Sequence, residues 1–153
     1  MKIINQQLLN QLSDEARSNP RLRKNFNIHP KDSFPAHRLL NAIEPDSYIR
    51  PHRHLDPMKD ETFIILKGKL GIIVFDEDGG VSEKILLDAK GDNVGVDLPS
   101  GVFHAAISLE EGTVFFEAKA GPYLPLTDEE QPSWAPENGA AAAEYLAELK
   151  RLF

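Results

Sequence analysis

The stretch PHRHLDPMKDETFIILKG, from Pro51 to Gly68, contains the features on which the prediction of the fold rests. His52 and His54 are separated by one residue, and residues i and i+2 of an extended strand project from the same face. Glu61 then opens an apolar run with the composition of a strand. Two imidazoles and a carboxylate are either ligands of one metal ion or solvated residues near a strand edge. Other residues of the chain are needed to distinguish these two interpretations.

The composition limits the possible classes of protein. With 153 residues the chain is long enough for one domain with its own core, and its net charge of −7 argues against a general binder of nucleic acid or of anionic membranes. There is no cysteine, so a metal would need nitrogen and oxygen ligands. No apolar run is long enough for a signal peptide or a membrane span, which makes the cytoplasm the default location.

The pattern of apolar residues predicts a mostly β protein with a helix at each end. Helical spacing marks residues 5–18, and the polar, proline-punctuated segment after residue 20 is predicted to be irregular. From residue 35 onward short β-rich runs alternate with turn sequences, which is typical of an all-β sandwich or barrel. The predicted strands are AHRLLNAI, SYIRPHRH, ETFIILKGKLGIIVFD (broken near Gly68), VSEKILLD, NVGVDL, VFHAAISL and TVFFEAK. Within one domain we assign 1–34 to the lead-in, 35–120 to the barrel, and 121–153 to a proline-rich surface segment and a C-terminal helix.

His104 is the residue that favours the metal hypothesis. It follows the turn Pro99-Ser100-Gly101 and lies in VFHAAISL, among small apolar residues that indicate a core strand. A single buried histidine is usually a hydrogen-bonded core residue, but this one has two other histidines and a glutamate that it could meet.

Two segments together resemble the paired motifs of the cupin superfamily. The first motif is similar to His52, His54, Glu61 and Gly68, and the second to GDNVGVDLPSGVFH through Gly91, Pro99, Gly101 and His104. The resemblance implies a double-stranded β-helix, or jelly-roll barrel, and one divalent metal held by His52, His54, Glu61 and His104. Three imidazoles and one carboxylate would leave one or two coordination positions free, and this ligand set suits Fe, Mn, Ni or Zn.

A narrower resemblance follows from a departure from the general motif. The gap LDPMKD between the histidine pair and Glu61 is longer than usual, and in this the chain is similar to WbuC-type cupin metalloproteins, which are encoded among bacterial polysaccharide genes. The similarity extends over about residues 1–136 and includes RLRKNFNIHPKDSFPAHRLLNAI and the segment FFEAKAGPY…WAP. This similarity implies the fold and the metal but no particular reaction. From the open coordination positions we expect a metal-dependent enzyme, an isomerase or epimerase if the ion polarises a carbonyl or hydroxyl, or a dioxygenase if it binds dioxygen. A small polar or sugar-related substrate in polysaccharide biosynthesis is implied by the gene neighbourhood of the similar proteins. The alternatives are a metal-dependent binding or sensor protein without turnover, and a closed structural metal site.

Further residues are candidates for contacting a substrate near the metal. An arginine on an inward face offers a fork for a carboxylate or phosphate, and a glutamate facing the cavity could act as a general base. The competing explanation is a salt bridge at the barrel rim for Arg38, an ion pair with Lys119 on the surface for Glu117, and a structural or solvated histidine for His29. The candidates are Arg38, Arg50, Lys59, Glu117, Tyr123 and His29. A homodimer is also expected, because the exposed edges of the barrel need covering.

Overall fold

Eight strands and two helices make up the chain in the computed structural model, which describes residues 1–153. The elements are α1 (Gln6–Arg17), β1 (Arg23–Asn27), β2 (Ala36–Ile43), β3 (Glu61–Lys67), β4 (Lys69–Phe75), β5 (Val81–Asp88), β6 (Gly95–Leu98), β7 (Phe103–Ser108), β8 (Thr113–Ala120) and α2 (Gly139–Lys150), with a short 3-10 turn at Asp128–Glu130. The predicted mostly β fold with a helix at each end is confirmed.

The strands form two antiparallel sheets, one of five strands in the order β1-β2-β8-β3-β6 and one of three in the order β5-β4-β7. The chain passes from the first sheet to the second at Gly68, whose φ of 77° lies in the left-handed region. A Cβ on this residue would lie 2.9 Å from the backbone of Thr113, so a glycine is required there for two reasons. The predicted break in the long apolar run is therefore confirmed.

Three apolar clusters hold these layers together. One lies between the two sheets and includes Phe63, Ile72 and Phe115. The second packs α2 and Trp134 against the outer face of the three-stranded sheet, and the third packs α1 against the outer face of the five-stranded sheet. The two helices therefore cover the outer faces, and the interior of the five-stranded sheet remains available for a site.

Two local predictions were wrong. The segment after residue 20 contains β1, which pairs with β2 from Arg23 opposite Ile43 to Asn27 opposite Leu39. We predicted a loop because this segment is mostly polar, and the structure shows that its polar inward face lines a polar cavity. Conversely, SYIRPHRH does not form a strand, and only His52 makes an isolated bridge. Pro51 lacks an N–H group, so a regular ladder cannot run through it.

Candidate metal centre and adjoining cavity

The histidine pair lies on the irregular segment between β2 and β3, and backbone hydrogen bonds dock this segment onto β7. The N–H of His52 donates to the carbonyl of His104 at 3.0 Å, and the N–H of His104 donates back at 2.9 Å. The N–H of Gly101, a residue with φ of 83°, donates to the carbonyl of His54 at 2.7 Å. The turn before β7 thus fixes the two sequence motifs against each other, as their resemblance to paired motifs implied.

Four side chains converge at this point, two from the irregular segment and one from each sheet. His52, His54 and Glu61 offer ligand atoms that all lie within 4.8 Å of one another, and such a group can hold a metal ion. Glu61 is the first residue of β3 and is only 2% exposed. His104 approaches from β7, with its Nε2 2.9 Å from Oε2 of Glu61. Nε2 of His54 lies 3.3 Å from the other oxygen, Oε1.

The hydrogen bonds of the rings determine which nitrogens are free. Nδ1 of His52 lies 3.1 Å from the carbonyl of Arg50, and Nδ1 of His104 lies 3.0 Å from that of Val102. A carbonyl only accepts, so each Nδ1 carries the proton and each Nε2 presents a lone pair. Burial, reinforced by the positive charge that His104 would carry, lowers the pKa of His52 to about 3, so its ring is neutral and able to bind a metal.

A cation suits this donor set, because the chain leaves two of its buried ligand atoms without a partner. Oε2 of Glu61 and Nε2 of His54 are both buried and have no hydrogen-bond partner in the chain. The lone pair of His104 Nε2 faces Oε2 of Glu61 at 2.9 Å, which places two acceptors against each other. Unpartnered buried acceptors are costly, and a positive ion between them would remove that cost.

Lys119 balances the charge of the carboxylates around this cluster. Its ammonium group lies 2.7 Å from Oε1 of Glu61 and 2.6 Å from Oε1 of Glu117, and the amide of Asn41 donates to Oε2 of Glu117. Burial would raise the pKa of Glu61, but hydrogen bonds donated by His104 and His54 when these rings carry a proton on Nε2, together with the charge of Lys119, outweigh this and hold that pKa well below its usual range. Lys119 therefore occupies Oε1 of Glu61, which also faces His54, and leaves Oε2 directed toward His104.

A cavity of about 440 Å³ opens next to the cluster, within the range of ligand-binding pockets. His52, Glu61 and His104 form part of its wall, so one side of the candidate metal centre is accessible to a small molecule. The remaining polar lining comes from β1, β2, β8 and the segments beside them: Arg23, Asn25, Asn27, His29, Asp32, His37, Asn41, Glu117, Lys119 and Tyr123. This arrangement can hydrogen-bond a small polar ligand through many amide, imidazole and charged groups.

Four of the predicted substrate-contact residues lie at this cavity or at a smaller pocket beside it. Glu117 is buried in the cavity wall, so its ion pair with Lys119 lies inside the protein and not on the surface. His29 is also buried there and stacks on His37 with ring centroids 4.0 Å apart. Tyr123 lines both spaces near the surface, and Lys59 lines the smaller one.

The structure does not bring Arg38 and Arg50 to the cavity. Arg38 is exposed on β2, with its guanidinium above the ring of Phe34, because the odd-numbered residues of that strand face inward. Arg50 donates to the carbonyls of Pro132 and Ala135 and to the side chain of Gln131, so it fastens the proline-rich segment. Neither side chain therefore lines the cavity in which we expected it to contact a substrate.

Sequence reasoning did not assign a role to several of the cavity residues. Asn25, Asn27 and Asn41 contribute amides, Arg23 contributes a guanidinium group, and His37 contributes an imidazole whose Nε2 lies 2.9 Å from the carbonyl of Asp32. The one available signal was alternation: in β2 the polar residues His37 and Asn41 share the face of Leu39. The same spacing of two in RKNFN could have indicated a strand with a polar inner face.

Fold and site together define a cupin-fold protein with a His-His-Glu group able to bind a metal. The chain belongs to the family described as "Domain of unknown function (DUF6016)", whose model matches residues 4–87. No curated protein was found to match the sequence. No helix of the chain combines the length and apolar character needed to cross a membrane.

Solved structures share this fold at low sequence identity. The TT1209 protein from Thermus thermophilus is 20% identical, with a TM-score of 0.54 over 78% of this chain and 97% of its own. The SPY1581 protein of unknown function from Streptococcus pyogenes is 12% identical, with a TM-score of 0.53 over 80% of this chain and 90% of its own. KdgF from Halomonas sp. is 16% identical, with a TM-score of 0.52 over 67% of this chain and 82% of its own. At these identities the similarity establishes the fold alone.

Proposed function

We propose that this protein is a metal-dependent enzyme acting on a small polar, sugar-related substrate, with one divalent ion held by His52, His54, Glu61 and His104. The observation that carries the proposal is that three of these side chains also line the polar cavity. A structural metal site is normally closed by protein ligands, whereas a catalytic one keeps an accessible position. Fe, Mn, Ni and Zn all suit nitrogen and carboxylate ligands.

The cavity residues have chemical roles that follow from their positions. When bound, the ion would act as a Lewis acid toward an oxygen of the substrate. Glu117 is 8% exposed, faces the cavity and is held by Lys119 and Asn41, so it is positioned to exchange a proton with a bound substrate. The amides of Asn25 and Asn27 at the cavity wall suit the donors and acceptors of sugar hydroxyl groups.

The metal content of the purified protein directly tests the proposed four-ligand metal site. Mass spectrometry on protein prepared without chelator or added metal should find about one equivalent of a transition metal per chain, bound by deprotonated ligands. His52→Ala and His104→Ala should lose it, whereas His29→Gln, a cavity histidine outside the cluster, should keep it. Full occupancy in His52→Ala, or no metal in any sample even after addition, would rule out the site.

Substrate turnover separates an enzyme from a binding or sensor protein. With metal and a candidate sugar present, an enzyme consumes the sugar, and a sensor binds it unchanged. A closed structural metal would instead give little loss of ligand binding on metal removal but a large loss of thermal stability.

The biological setting and the assembly are part of the same proposal. The resemblance to WbuC-type proteins supports a role in bacterial polysaccharide metabolism. A homodimer is supported by the edge strand β5, which exposes Val81 and Leu86 beside its unpaired backbone groups. Light scattering after size-exclusion chromatography would test the dimer, and a monomer would exclude it.

A further inference from the structure

Lys59 is a buried lysine without an acidic partner. Four charged residues are buried in the protein, and three of them, Glu44, Glu61 and Glu117, have a cation within 4.0 Å. Lys59 is 8% exposed and forms no ion pair. The one hydrogen bond of its ammonium group within the chain goes to the carbonyl of Pro122 at a long 3.3 Å. An ammonium group has three N–H donors, so two of them are unused by the protein.

The surroundings of Lys59 are suited to an anion. It lines a pocket of about 170 Å³ between the histidine pair and the segment after β8, and no aspartate or glutamate lines that pocket. Histidine, lysine and tyrosine provide all of its polar side chains: His37, His52, His54, Lys59, Lys119 and Tyr123. The charge of Lys119 is already used by Glu61 and Glu117, so Lys59 supplies the uncompensated charge.

The small pocket is continuous in its lining with the larger cavity. His37, His52, Lys119 and Tyr123 belong to both, so the two spaces meet beside the candidate metal centre. At about 170 Å³ the small pocket is below the size of a complete ligand site, which indicates that it takes one end of a molecule whose remainder occupies the cavity.

A buried ammonium group without a counter-charge destabilises a folded protein, so a ligand that supplies the counter-charge would offset that cost. We propose that Lys59 binds the anionic group, a carboxylate or a phosphate, of the substrate. The inference deepens the function proposed above and rests on it: the substrate is a small acid, such as a sugar acid or a sugar phosphate, with its charged end beside Lys59 and its hydroxyl groups toward the polar cavity.

Isothermal titration of the metal-loaded protein with three probes tests this. Glucuronate represents the carboxylate source, orthophosphate the phosphate source, and glucose is the uncharged control. At least one anionic probe should bind to the wild type, and glucose should bind at least about tenfold more weakly, because a charge-assisted hydrogen bond contributes that factor or more. The anion that binds more tightly identifies the charged group of the substrate as a carboxylate or a phosphate.

The variants locate the binding at Lys59. Lys59→Gln should weaken the anionic probe at least about tenfold, Lys59→Arg should keep most of the affinity, and Lys90→Gln, which removes an exposed lysine elsewhere, should change nothing. The thermal unfolding of each variant is recorded as well. A Lys59→Gln protein that is folded and still binds the anion as the wild type does would overturn the proposal, as would a wild type that binds no anionic probe.

Metal analysis of the same samples keeps the two proposals separate. If the wild type holds a metal and anion binding does not depend on Lys59, the ion alone binds the anion; this inference is then wrong and the metal centre stands. If no sample holds a metal but anion binding still depends on Lys59, the anion pocket stands and the metal-dependent function fails.

Discussion

Replacing Lys119 by methionine should destabilise the protein, and more strongly without metal than with it. The ammonium group is the shared partner of Glu61 and Glu117, at 2.7 and 2.6 Å. Burial alone would lower the pKa of Lys119, but the charges of Glu117 and Glu61 outweigh that effect and raise it. Methionine keeps much of the side-chain length and removes the charge, which leaves two buried carboxylates without a cation.

The size of the loss follows from the burial. Removing one partner of a buried ion pair costs about 3–5 kcal/mol. The side chain of Lys119 is 19% exposed, so we expect the lower end of that range, about 3 kcal/mol. For a domain of this size each kcal/mol lowers Tm by about 2–4 °C, which gives a fall of about 6–12 °C for the metal-free protein. A bound ion would compensate Glu61, so the metal-loaded variant should lose less.

Thermal unfolding followed by circular dichroism, with and without metal, measures both quantities. Lys90→Met, at an exposed lysine, is the control for the loss of one positive charge and should leave Tm close to that of the wild type. Adding Glu117→Gln to the Lys119 variant should recover part of the loss, because one of the two unpaired carboxylates becomes neutral. An equal fall in Tm with and without metal, or no fall in either state, would refute the reasoning.

Three other variants test separate parts of the structure. Burial is the main factor that raises the pKa of Tyr48, to about 12, so the contribution of its neutral phenol to folding stability is complete below about pH 10 and is lost between about pH 10 and 12. When the wild type is titrated with base, tyrosinate absorbance should include a step near pH 12 that Tyr48→Phe lacks. Gly68→Ala should lower the free energy of unfolding more than Gly101→Ala does. Both residues have positive φ (77° and 83°), but only a Cβ on Gly68 would lie against Thr113. Equal losses of stability in chemical denaturation would contradict this. Arg50→Met should speed proteolysis within residues 131–137 and leave metal content unchanged, and an unaltered cleavage rate would show that the guanidinium contacts do not hold the segment.

The sequence was most informative where a pattern had one physical interpretation. Alternating apolar runs between turn residues predicted β2 with its observed bounds, Ala36–Ile43, and β5 likewise, Val81–Asp88. The motif resemblance placed His52 and Glu61 near His104, and the structure does bring them together. These predictions depended on spacing along the chain, which a sequence shows directly.

The errors arose where both faces of a strand, or neither, are apolar. Leu40 and Ala42 suggested that the face of Arg38 was inward, but α1 covers that face from outside, so the apolar residues there belong to a different cluster. In β1 the inward face is polar because it meets the cavity. Whether an apolar face packs on a helix or on the opposite sheet depends on tertiary contacts that alternation alone does not show.

The positions of Glu61 and His104 also determine which measurement can identify the function. Glu61 lies on the five-stranded sheet and His104 on the three-stranded one, so an ion shared by them would join the two layers and stabilise the fold through binding. A rise in Tm on metal addition is therefore expected for an enzyme, a sensor and a structural site alike. The pocket of Lys59 is different, because an uncompensated ammonium group beside a closed structural site would only destabilise the protein. Anion binding that depends on Lys59 would thus support a ligand-binding role for the metal centre in a way that metal-induced stability cannot.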